Sequence, residues 1–350
     1  MSATRTRTEV SLEFSHNSFA RIDTSALAGF DVRPYPVAGA PGLTDTIAEY
    51  SALTTAEVLV GNGSDEILLL LALAAAQQGG VGAVPAISFT GYRYALDAAR
   101  MAHREFRTDR RSGVDLRSAL QAAQDAAICF LPNPHNPLGS FCPVPELEAF
   151  FEATADSGCL VVVDEAYVDF VPPDRGGSVL ASVRDHDHVA VVRSLSKSHG
   201  LAGVRCGYLA GPPRLIRDLE HVKRALPFSV NSVTQAIVPG VLADRPGMAR
   251  AVVDTHRSLA CLADSLRTAG FEVLDSYAAF VTVDVRPASS REVTALLAEA
   301  GIRVRDTSDM GLPGHIRVGA CEPGLVETVV DAVVDACALQ NERMTDVGDR

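Results

Sequence analysis

Three short apolar runs recur along the first two thirds of the chain, about thirty residues apart. They cover residues 127–131, 160–163 and 189–192, and each is followed by a segment that contains polar residues. Continuous apolar runs of this length are typical of strands that are buried on both faces. Because helical patterns at 118–127 and 146–156 separate them, the spacing predicts βαβ units and a parallel sheet.

A glycine turn separates the apolar residues 58–60 from a longer apolar run at 67–76. The turn, GNGSDE at 61–66, predicts the start of a helix that Ser64 or Asp65 can cap. The free N–H groups at such a helix start can bind an anion, although glycine turns before helices are common. Residues 67–76 are apolar on all sides, which predicts a helix inside the domain.

The last third of the chain has a different pattern. Residues 281–285 alternate as in a half-exposed strand, and further strands are predicted at 302–305 and 315–319. Helical patterns lie between and after these strands, and the last one ends near residue 339, before a polar end that we expect to be frayed. This part of the chain predicts a smaller α+β domain, which begins near residue 245 and packs on the large one.

Composition and charge exclude several classes of function. Of the 350 residues, 47% are hydrophobic and 21% are charged, which is typical of a globular protein. The net charge of −12 disfavours nucleic acid and anionic membranes as partners. The longest apolar run has ten residues and cannot span a bilayer, and the first residues do not resemble a secretory signal. Seven scattered cysteines without CxxC spacing predict small buried side chains in a reducing cytoplasm, not disulfides or a metal site.

Lys197 is the strongest candidate for covalent chemistry. It follows the predicted strand at 189–192 and lies among small hydroxyl residues and glycines. Desolvation in a tight apolar loop lowers the pKa of an amine, and a neutral amine can form a Schiff base. Arg205, eight residues later, has the planar guanidinium that suits a phosphate. Taken alone, an ordinary solvated loop explains both residues equally well.

Polar side chains follow the carboxyl ends of all three predicted parallel strands, namely Asn136, Asp164 and Lys197. Open α/β sheets bind ligands at that edge, so the convergence indicates a site more strongly than any one motif does. Residues 85–94 contain three aromatic residues and predict a loop. Phe89 in this loop can stack on a flat ring, although alone it is better explained as a core residue. Tyr35 lies in a proline-stiffened segment that loses little freedom on docking.

Several motifs together resemble those of fold type I pyridoxal-phosphate enzymes, and the histidinol-phosphate aminotransferases are the most similar group. The motifs are GNGSDE at 61–66, DEAY at 164–167, SLSK at 194–197 and GLAGVRCGY at 200–208. The similarity extends from about Asn17 to the last helix. It implies an α/β fold with a large domain at 45–244, in which helices cover a mostly parallel seven-stranded sheet. It also implies a smaller α+β domain built from both chain ends, residues 1–44 and 245–350.

The resemblance also implies a cofactor, pyridoxal 5′-phosphate, and roles for the residues around its ring. Lys197 would hold the cofactor aldehyde as a Schiff base and then act as the base that moves a proton. Asp164 would pair with the pyridinium nitrogen and keep it protonated. Tyr167 and Asn136 would bond the ring oxygen O3′, and Phe89 would stack on the ring face.

The remaining implied contacts involve the phosphate and the substrate. The phosphate group would be bound by Gly63, Ser64, Asp65, Ser194, Ser196 and Arg205. Tyr35 would reach the phosphate of the other subunit, which requires a homodimer. Arg317 matches the family's anion-binding arginine, and Arg305 matches a second one that is seen when the substrate carries a phosphate. The alternative for Arg305 is an exposed strand arginine, and Asn17 lies in the substrate loop.

Three functions remain open at this stage. The first is an aminotransferase of the histidinol-phosphate type that moves an amino group between an amino acid or amine and a 2-oxo acid. The second is a lyase on the same scaffold, such as a decarboxylase resembling threonine-phosphate decarboxylase, which would share every cofactor residue. The third is a non-catalytic ligand-sensing module. Such modules are usually fused to a DNA-binding segment, and the lack of a basic helix-turn-helix pattern before residue 40 argues against this function. Residues 16–19 differ from the family's usual Asn-Glu-Asn-Pro and leave the natural substrate open.

Overall fold

The computed structural model of the protein describes residues 12–13, 19–20 and 22–348. The strands of this part of the chain are β1 (Leu12–Glu13), β2 (Val58–Gly61), β3 (Val81–Pro85), β4 (His103–Phe106), β5 (Ala126–Pro132), β6 (Leu160–Asp164), β7 (Val189–Ser194), β8 (Gly207–Ala210), β9 (Glu272–Leu274), β10 (Phe280–Asp284), β11 (Ile302–Arg303), β12 (Arg305–Asp306) and β13 (His315–Gly319). The α-helices are α1 (Pro41–Tyr50), α2 (Gly63–Gln78), α3 (Gly91–Ala98), α4 (Leu116–Ala123), α5 (Val144–Thr154), α6 (Pro213–Lys223), α7 (Ser232–Ala243), α8 (Arg245–Thr268), α9 (Ser290–Glu299) and α10 (Val326–Gly348). None of these helices is long and apolar enough to cross a membrane.

Seven strands form one large sheet in the order β2-β8-β7-β6-β5-β3-β4. The five strands β7, β6, β5, β3 and β4 pair in parallel with their neighbours in this order. Strand β8 runs antiparallel to both of its neighbours, β7 and β2. Their apolar residues are buried on both sides, which explains the unbroken apolar runs in the sequence. The predicted α/β class with a mostly parallel seven-stranded sheet is therefore confirmed.

Neighbouring residues of the central strands contact different helical layers. On β6, Val162 packs on one face with residues of α2, α3 and α6, while Val161 packs on the other face with residues of α4 and α5. Both side chains are fully buried, and burial of a valine of this kind contributes about 1.5–3 kcal/mol. The helix α2 lies within this core, as its apolar sequence predicts, and Ile67, Leu68 and Leu71 are almost completely buried.

A second, four-stranded antiparallel sheet has the order β12-β13-β10-β9. The predicted strand at 302–305 is wrong as one element, because β11 pairs with β1 while β12 joins β13 on the second sheet. The last helix also extends further than predicted: α10 continues to Gly348, and Gln340, which we expected to be frayed, is only 2% exposed. The domain boundaries at 44/45 and 244/245 stay a prediction.

The cysteines are free thiols and six of the seven are buried, as the sequence indicates. Cys261 is the exception, because it lies on the outward stripe of the amphipathic helix α8, next to residues such as Asp264.

The register of the central strands brings their carboxyl ends to one edge of the large sheet. Pro132 at the end of β5 pairs with Asp164 at the end of β6, and Asp164 pairs with Val192 of β7. The segments that follow these strands therefore start side by side, where open α/β sheets bind ligands.

Candidate active site

A cavity of about 390 Å³ lies at this edge of the large sheet. Most of the residues that the sequence nominates line it: Ser64, Asp65, Phe89, Asn136, Asp164, Tyr167, Ser194, Ser196, Lys197, Arg205, Arg305 and Arg317. The sequence did not nominate the other lining residues, Tyr92, Pro132, Pro134, Ala166, Ala202 and Met310. The volume is in the range of small-molecule and cofactor sites. The individual roles of the nominated residues stay predictions.

Asp164 lies at the end of β6 and is 7% exposed. Its Oδ2 accepts a hydrogen bond from the Tyr92 hydroxyl at 2.7 Å, and its Oδ1 accepts one from the Ala166 N–H at 3.0 Å. Among the described residues, no cation forms an ion pair with this carboxylate. Burial raises the pKa of Asp164, and the two hydrogen bonds only partly oppose that effect. The charge of Lys197 lowers this pKa as well, but from further away than an ion pair. The cavity therefore contains a buried acid whose hydrogen-bond donors are neutral and which has no ion-pair partner in the described part of the chain.

Lys197 follows β7 and is half-buried at the cavity wall. Its Nζ lies 5.4 Å from the centroid of the Tyr167 ring. Burial by itself would raise the pKa of Tyr167, but the positive charges of Lys197 and Arg317 hold that pKa below its usual value. The Tyr167 hydroxyl is thus in a positive field, which favours contact with a negatively charged oxygen of a ligand.

Two glycines allow close packing around the start of α2. A Cβ atom on Gly63, which has a φ of +77°, would lie 2.5 Å from Nη2 of Arg205. A Cβ atom on Gly207 would lie 2.6 Å from the backbone nitrogen of Ser64. Both distances are too short for real atoms, so only glycine lets the Arg205 guanidinium and strand β8 lie directly against this helix end.

Donors for an anion gather at the same place. Ser64 and Asp65 occupy the first turn of α2, where backbone N–H groups are free of intrahelical partners. Arg205 donates from Nη2 to Asp65 Oδ2 at 2.7 Å, and both side chains are partly exposed. The hydroxyl-bearing residues Ser194 and Ser196 complete this end of the cavity. Arg205 has a φ of +65°, a left-handed conformation that costs about 1–3 kcal/mol in a non-glycine residue.

The two arginines from the second sheet have different partners. Arg317 on β13 donates from Nη1 to the amide oxygen of Asn136 at 2.7 Å, and its guanidinium lies 4.8 Å from the ring centroid of Phe280. It is 7% exposed and has no carboxylate partner among the described residues. Arg305, in contrast, forms an ion pair with Asp309 at 2.5 Å and is more exposed. Arg317 is therefore the better placed of the two for an anionic ligand group.

Tyr35 and Gly63 are not among the residues that line the cavity. The Tyr35 side chain is 82% exposed and stacks on Phe228 with 4.9 Å between ring centroids. Asn17 lies outside the described residues. Gly63 acts through its contact with Arg205, as described above.

Tyr92 is the functional candidate that the sequence reasoning missed. We interpreted residues 85–94 as a loop, which is wrong because α3 begins at Gly91. The buried positions Tyr92, Ala95 and Leu96 have the i, i+3, i+4 spacing of a helix, and this spacing could have identified helix α3 from the sequence. Gly91 leaves room for the Phe89 ring, because a Cβ atom at position 91 would lie 2.2 Å from that ring.

A buried ionic network lies behind the turn that carries Lys197. Arg193 donates from Nη1 to Glu165 Oε2 at 3.2 Å and from Nη2 to Asp169 Oδ1 at 2.6 Å. The Ser198 hydroxyl donates to Asp169 Oδ2 and lies 2.9 Å from Nδ1 of His199. Glu165 directly follows Asp164 in sequence, and Ser198 directly follows Lys197, but the charged groups of this network are paired within the chain.

The donor set of the cavity fits pyridoxal 5′-phosphate. It combines an anion-binding helix start next to Arg205, a buried carboxylate for a ring nitrogen, an aromatic ring at Phe89 and the amine of Lys197. The glycines at 63 and 207 keep the anion-binding end open to donors from two elements.

Comparison with known proteins gives consistent results. The family described as aminotransferase class I and II matches residues 23–333. The histidinol-phosphate aminotransferase of Nitratidesulfovibrio vulgaris strain DP4 is 36% identical over 296 residues, which cover 81% of this chain and 76% of the relative.

Two solved structures show the same fold at lower identity. The histidinol-phosphate aminotransferase of Sinorhizobium meliloti, solved in complex with pyridoxal 5′-phosphate, has a TM-score of 0.80 at 22% identity and covers 94% of this chain and 91% of its own. The L-threonine-O-3-phosphate decarboxylase of Porphyromonas gingivalis has a TM-score of 0.80 at 20% identity, with 92% and 98% coverage. The fold alone therefore does not separate transfer from decarboxylation.

Proposed function

The chain belongs to the class I and II aminotransferases, and from that premise we propose that it transfers an amino group between an amino acid or amino-phosphate of the histidinol-phosphate type and a 2-oxo acid. Its cofactor is pyridoxal 5′-phosphate. One observation carries the proposal: the amine of Lys197, the buried carboxylate of Asp164 and the guanidinium of Arg205 line the same cavity.

When bound, the cofactor supplies an electron sink for the charge that develops at the substrate Cα. Lys197 would hold the cofactor aldehyde through Nζ and, as a free amine, would move the proton at the substrate Cα. Asp164 would accept a hydrogen bond from the ring nitrogen and keep it positively charged. Tyr167 and the amide nitrogen of Asn136 would donate to the ring oxygen, because the amide oxygen already accepts from Arg317.

The substrate side of the proposal depends on the two arginines. Arg317 would bind the carboxylate or another anionic group of the substrate, since its described protein partner is a neutral amide. Arg305 would bind a second anionic group, such as a phosphate, in competition with Asp309. Asn17 would contribute from the substrate loop.

We also propose a homodimer in which Tyr35 reaches the phosphate site of the other subunit. Large apolar side chains with 43–82% exposure support it: Val32, Tyr35, Val37, Leu226 and Phe228. The two segments are in contact, because the Gly39 N–H donates to the Pro227 carbonyl. The side-chain amide of Gln235 on α7 also donates to the Val37 carbonyl. Exposed apolar residues that gather in this way mark interaction surfaces. The free thiols suit work in the reducing cytoplasm.

An amino-donor screen tests the proposal. We expect the purified, cofactor-loaded protein to pass the amino group of histidinol phosphate or a related amino compound to 2-oxoglutarate without releasing CO₂. Release of CO₂ without transfer would make the chain a lyase. A Lys197→Ala variant that retained all function would instead favour the non-catalytic ligand sensor.

A further inference from the structure

We infer that Tyr92 is a positioning residue whose hydroxyl holds the Asp164 carboxylate in the orientation that meets the cofactor ring. The inference rests on the proposed function, because it assumes that Asp164 contacts a bound ring. Tyr92 does not match any of the motifs that indicated the site; the role follows from its contacts.

The hydrogen bonds around Asp164 fix the plane of the carboxylate. The Tyr92 hydroxyl donates to Oδ2 at 2.7 Å, and the Ala166 N–H donates to Oδ1 at 3.0 Å. Rotation of the carboxyl group would lengthen one of these bonds or break it. Because each oxygen accepts a single bond from the described residues, one lone pair on each remains for a donor in the cavity.

The tyrosine ring is held on two sides. It stacks on Phe130 with 5.0 Å between centroids and an interplanar angle of 9°, and it meets Phe89 edge-on at 5.7 Å and 89°. Tyr92 is 1% exposed, so these contacts leave its hydroxyl one direction, toward Asp164. Phe89 is the residue predicted to stack on the cofactor. Tyr92 therefore connects the two side chains that would touch the ring.

A tyrosine suits this position because it is a neutral donor. Burial raises the pKa of Asp164, and the hydrogen bond from Tyr92 is the strongest opposing effect. Burial and the nearby Asp164 charge also raise the pKa of Tyr92 well above its usual value, so the hydroxyl keeps its proton. An arginine here would neutralise the carboxylate, whereas the hydroxyl leaves its charge for a cationic ring nitrogen.

The test is Tyr92→Phe, which removes the hydroxyl and keeps the ring. Cofactor-free protein is titrated with pyridoxal 5′-phosphate, and the dissociation constant is followed against pH. We expect it to rise about 10- to 100-fold, as for the loss of a hydrogen bond to a charged group. The acid limb of the binding profile should also move to higher pH, because Asp164 then takes up a proton more readily. Tyr208→Phe is the control, since this tyrosine is equally buried but does not line the cavity.

A double-mutant cycle with Asp164→Asn shows whether Tyr92 acts through Asp164. In the Asp164→Asn background, adding Tyr92→Phe should change cofactor affinity less than about twofold. Full additivity of the two losses, or an unchanged acid limb in Tyr92→Phe, would overturn the inference. If Asp164→Asn alone leaves affinity and activity intact, the proposed function itself fails, which is a distinguishable result.

Discussion

Asp164 and Asp169 are the same residue type in the same short segment, but their surroundings differ. Each accepts a hydrogen bond from a hydroxyl, Tyr92 for Asp164 and Ser198 for Asp169. Asp169 also pairs with Arg193 at 2.6 Å, whereas Asp164 has no cationic partner among the described residues. Burial therefore raises the pKa of Asp164. At Asp169 burial acts in the same direction, but the charges of Arg193 and His199 outweigh it and lower the pKa.

This difference in ion pairing distinguishes a structural acid, Asp169, from an acid that is available to a ligand, Asp164. A buried charge without a partner is costly, so a chain that keeps one at a cavity wall loses stability there. The cost is offset when a ligand brings the missing positive charge. The charges around Arg193 are paired within the chain, whereas Asp164 has no ion-pair partner in the described part of the chain, and a pyridinium ring would supply one.

We expect the largest effect on stability when Arg193, the cation of the buried ionic network, is replaced. Arg193→Met leaves Glu165 and Asp169 buried without their cation, which should reduce the free energy of unfolding by about 3–5 kcal/mol at pH 7. Chemical denaturation of the cofactor-free protein measures it. Arg184→Met is the matched control, because Arg184 pairs with Glu57 but is half-exposed, and it should cost clearly less. Equal losses for the two variants would remove the distinction between the buried network and an ordinary ion pair.

Asp164→Asn should have the opposite profile, with a large effect on function and little on folding. We expect the transfer rate to fall about 10²- to 10³-fold, as for the loss of one group that stabilises developing charge. Stability of the cofactor-free protein should be unchanged or higher, because no ion pair is broken. A stability loss as large as that of Arg193→Met would mean that Asp164 is structural.

The two arginines of the cavity repeat the comparison on a smaller scale. Arg317→Ala should weaken substrate binding about 10- to 100-fold and leave cofactor affinity nearly unchanged, because its described partner is the neutral Asn136. Arg305→Ala should cost less than about fivefold with a substrate that has one anionic group, because Asp309 already neutralises it. Titration with a dead-end substrate analogue measures both. Equal losses of substrate and cofactor affinity in Arg317→Ala would indicate a structural arginine.

The smallest expected effect is on the pH dependence of the free energy of unfolding, to which Asp169 and Asp164 should contribute with opposite signs. Asp169 has a lowered pKa, so its charge stabilises the fold above its ordinary value of 3.8, and this contribution is lost as the pH falls through the folded-state pKa. Asp169→Asn should therefore cost stability at neutral pH and little in acid. Asp164 has a raised pKa, so the wild type loses stability as the pH rises from 3.8 through the raised value. Asp164→Asn should gain stability relative to the wild type over that range. Parallel curves for the two variants in thermal unfolding would contradict this interpretation.

The sequence was most informative where chemistry follows a strand end. Asn136, Asp164 and Lys197 could be nominated because parallel strands end at one edge, and their cavity was found there. Tyr92 was missed because its partner Asp164 lies 72 residues away, and no local pattern reports that distance. The break between β11 and β12 was missed for a similar reason, since each two-residue strand is defined by a distant partner.

The sequence also could not predict which charged side chains pair with each other. Arg193 lies at the end of an apolar run, and nothing local indicates that it joins Glu165 and Asp169 rather than a ligand. Conversely, Asp164 has no ion-pair partner among the described residues, and only the positions of its neighbours in the structure show this. Residue types could be read from the sequence, but their state of pairing depends on contacts between distant segments.

Reduction with borohydride tests the central claim most directly. The chain contains only two lysines, Lys197 at the cavity and Lys223, whose amine is bound to Glu66 and Ser229 at 2.7 and 2.9 Å. After loading with pyridoxal 5′-phosphate and reduction, peptide mass spectrometry should find the cofactor mass on the peptide that contains Lys197. Cofactor mass on the Lys223 peptide, or on neither peptide after loading has been verified by absorbance, would contradict the account.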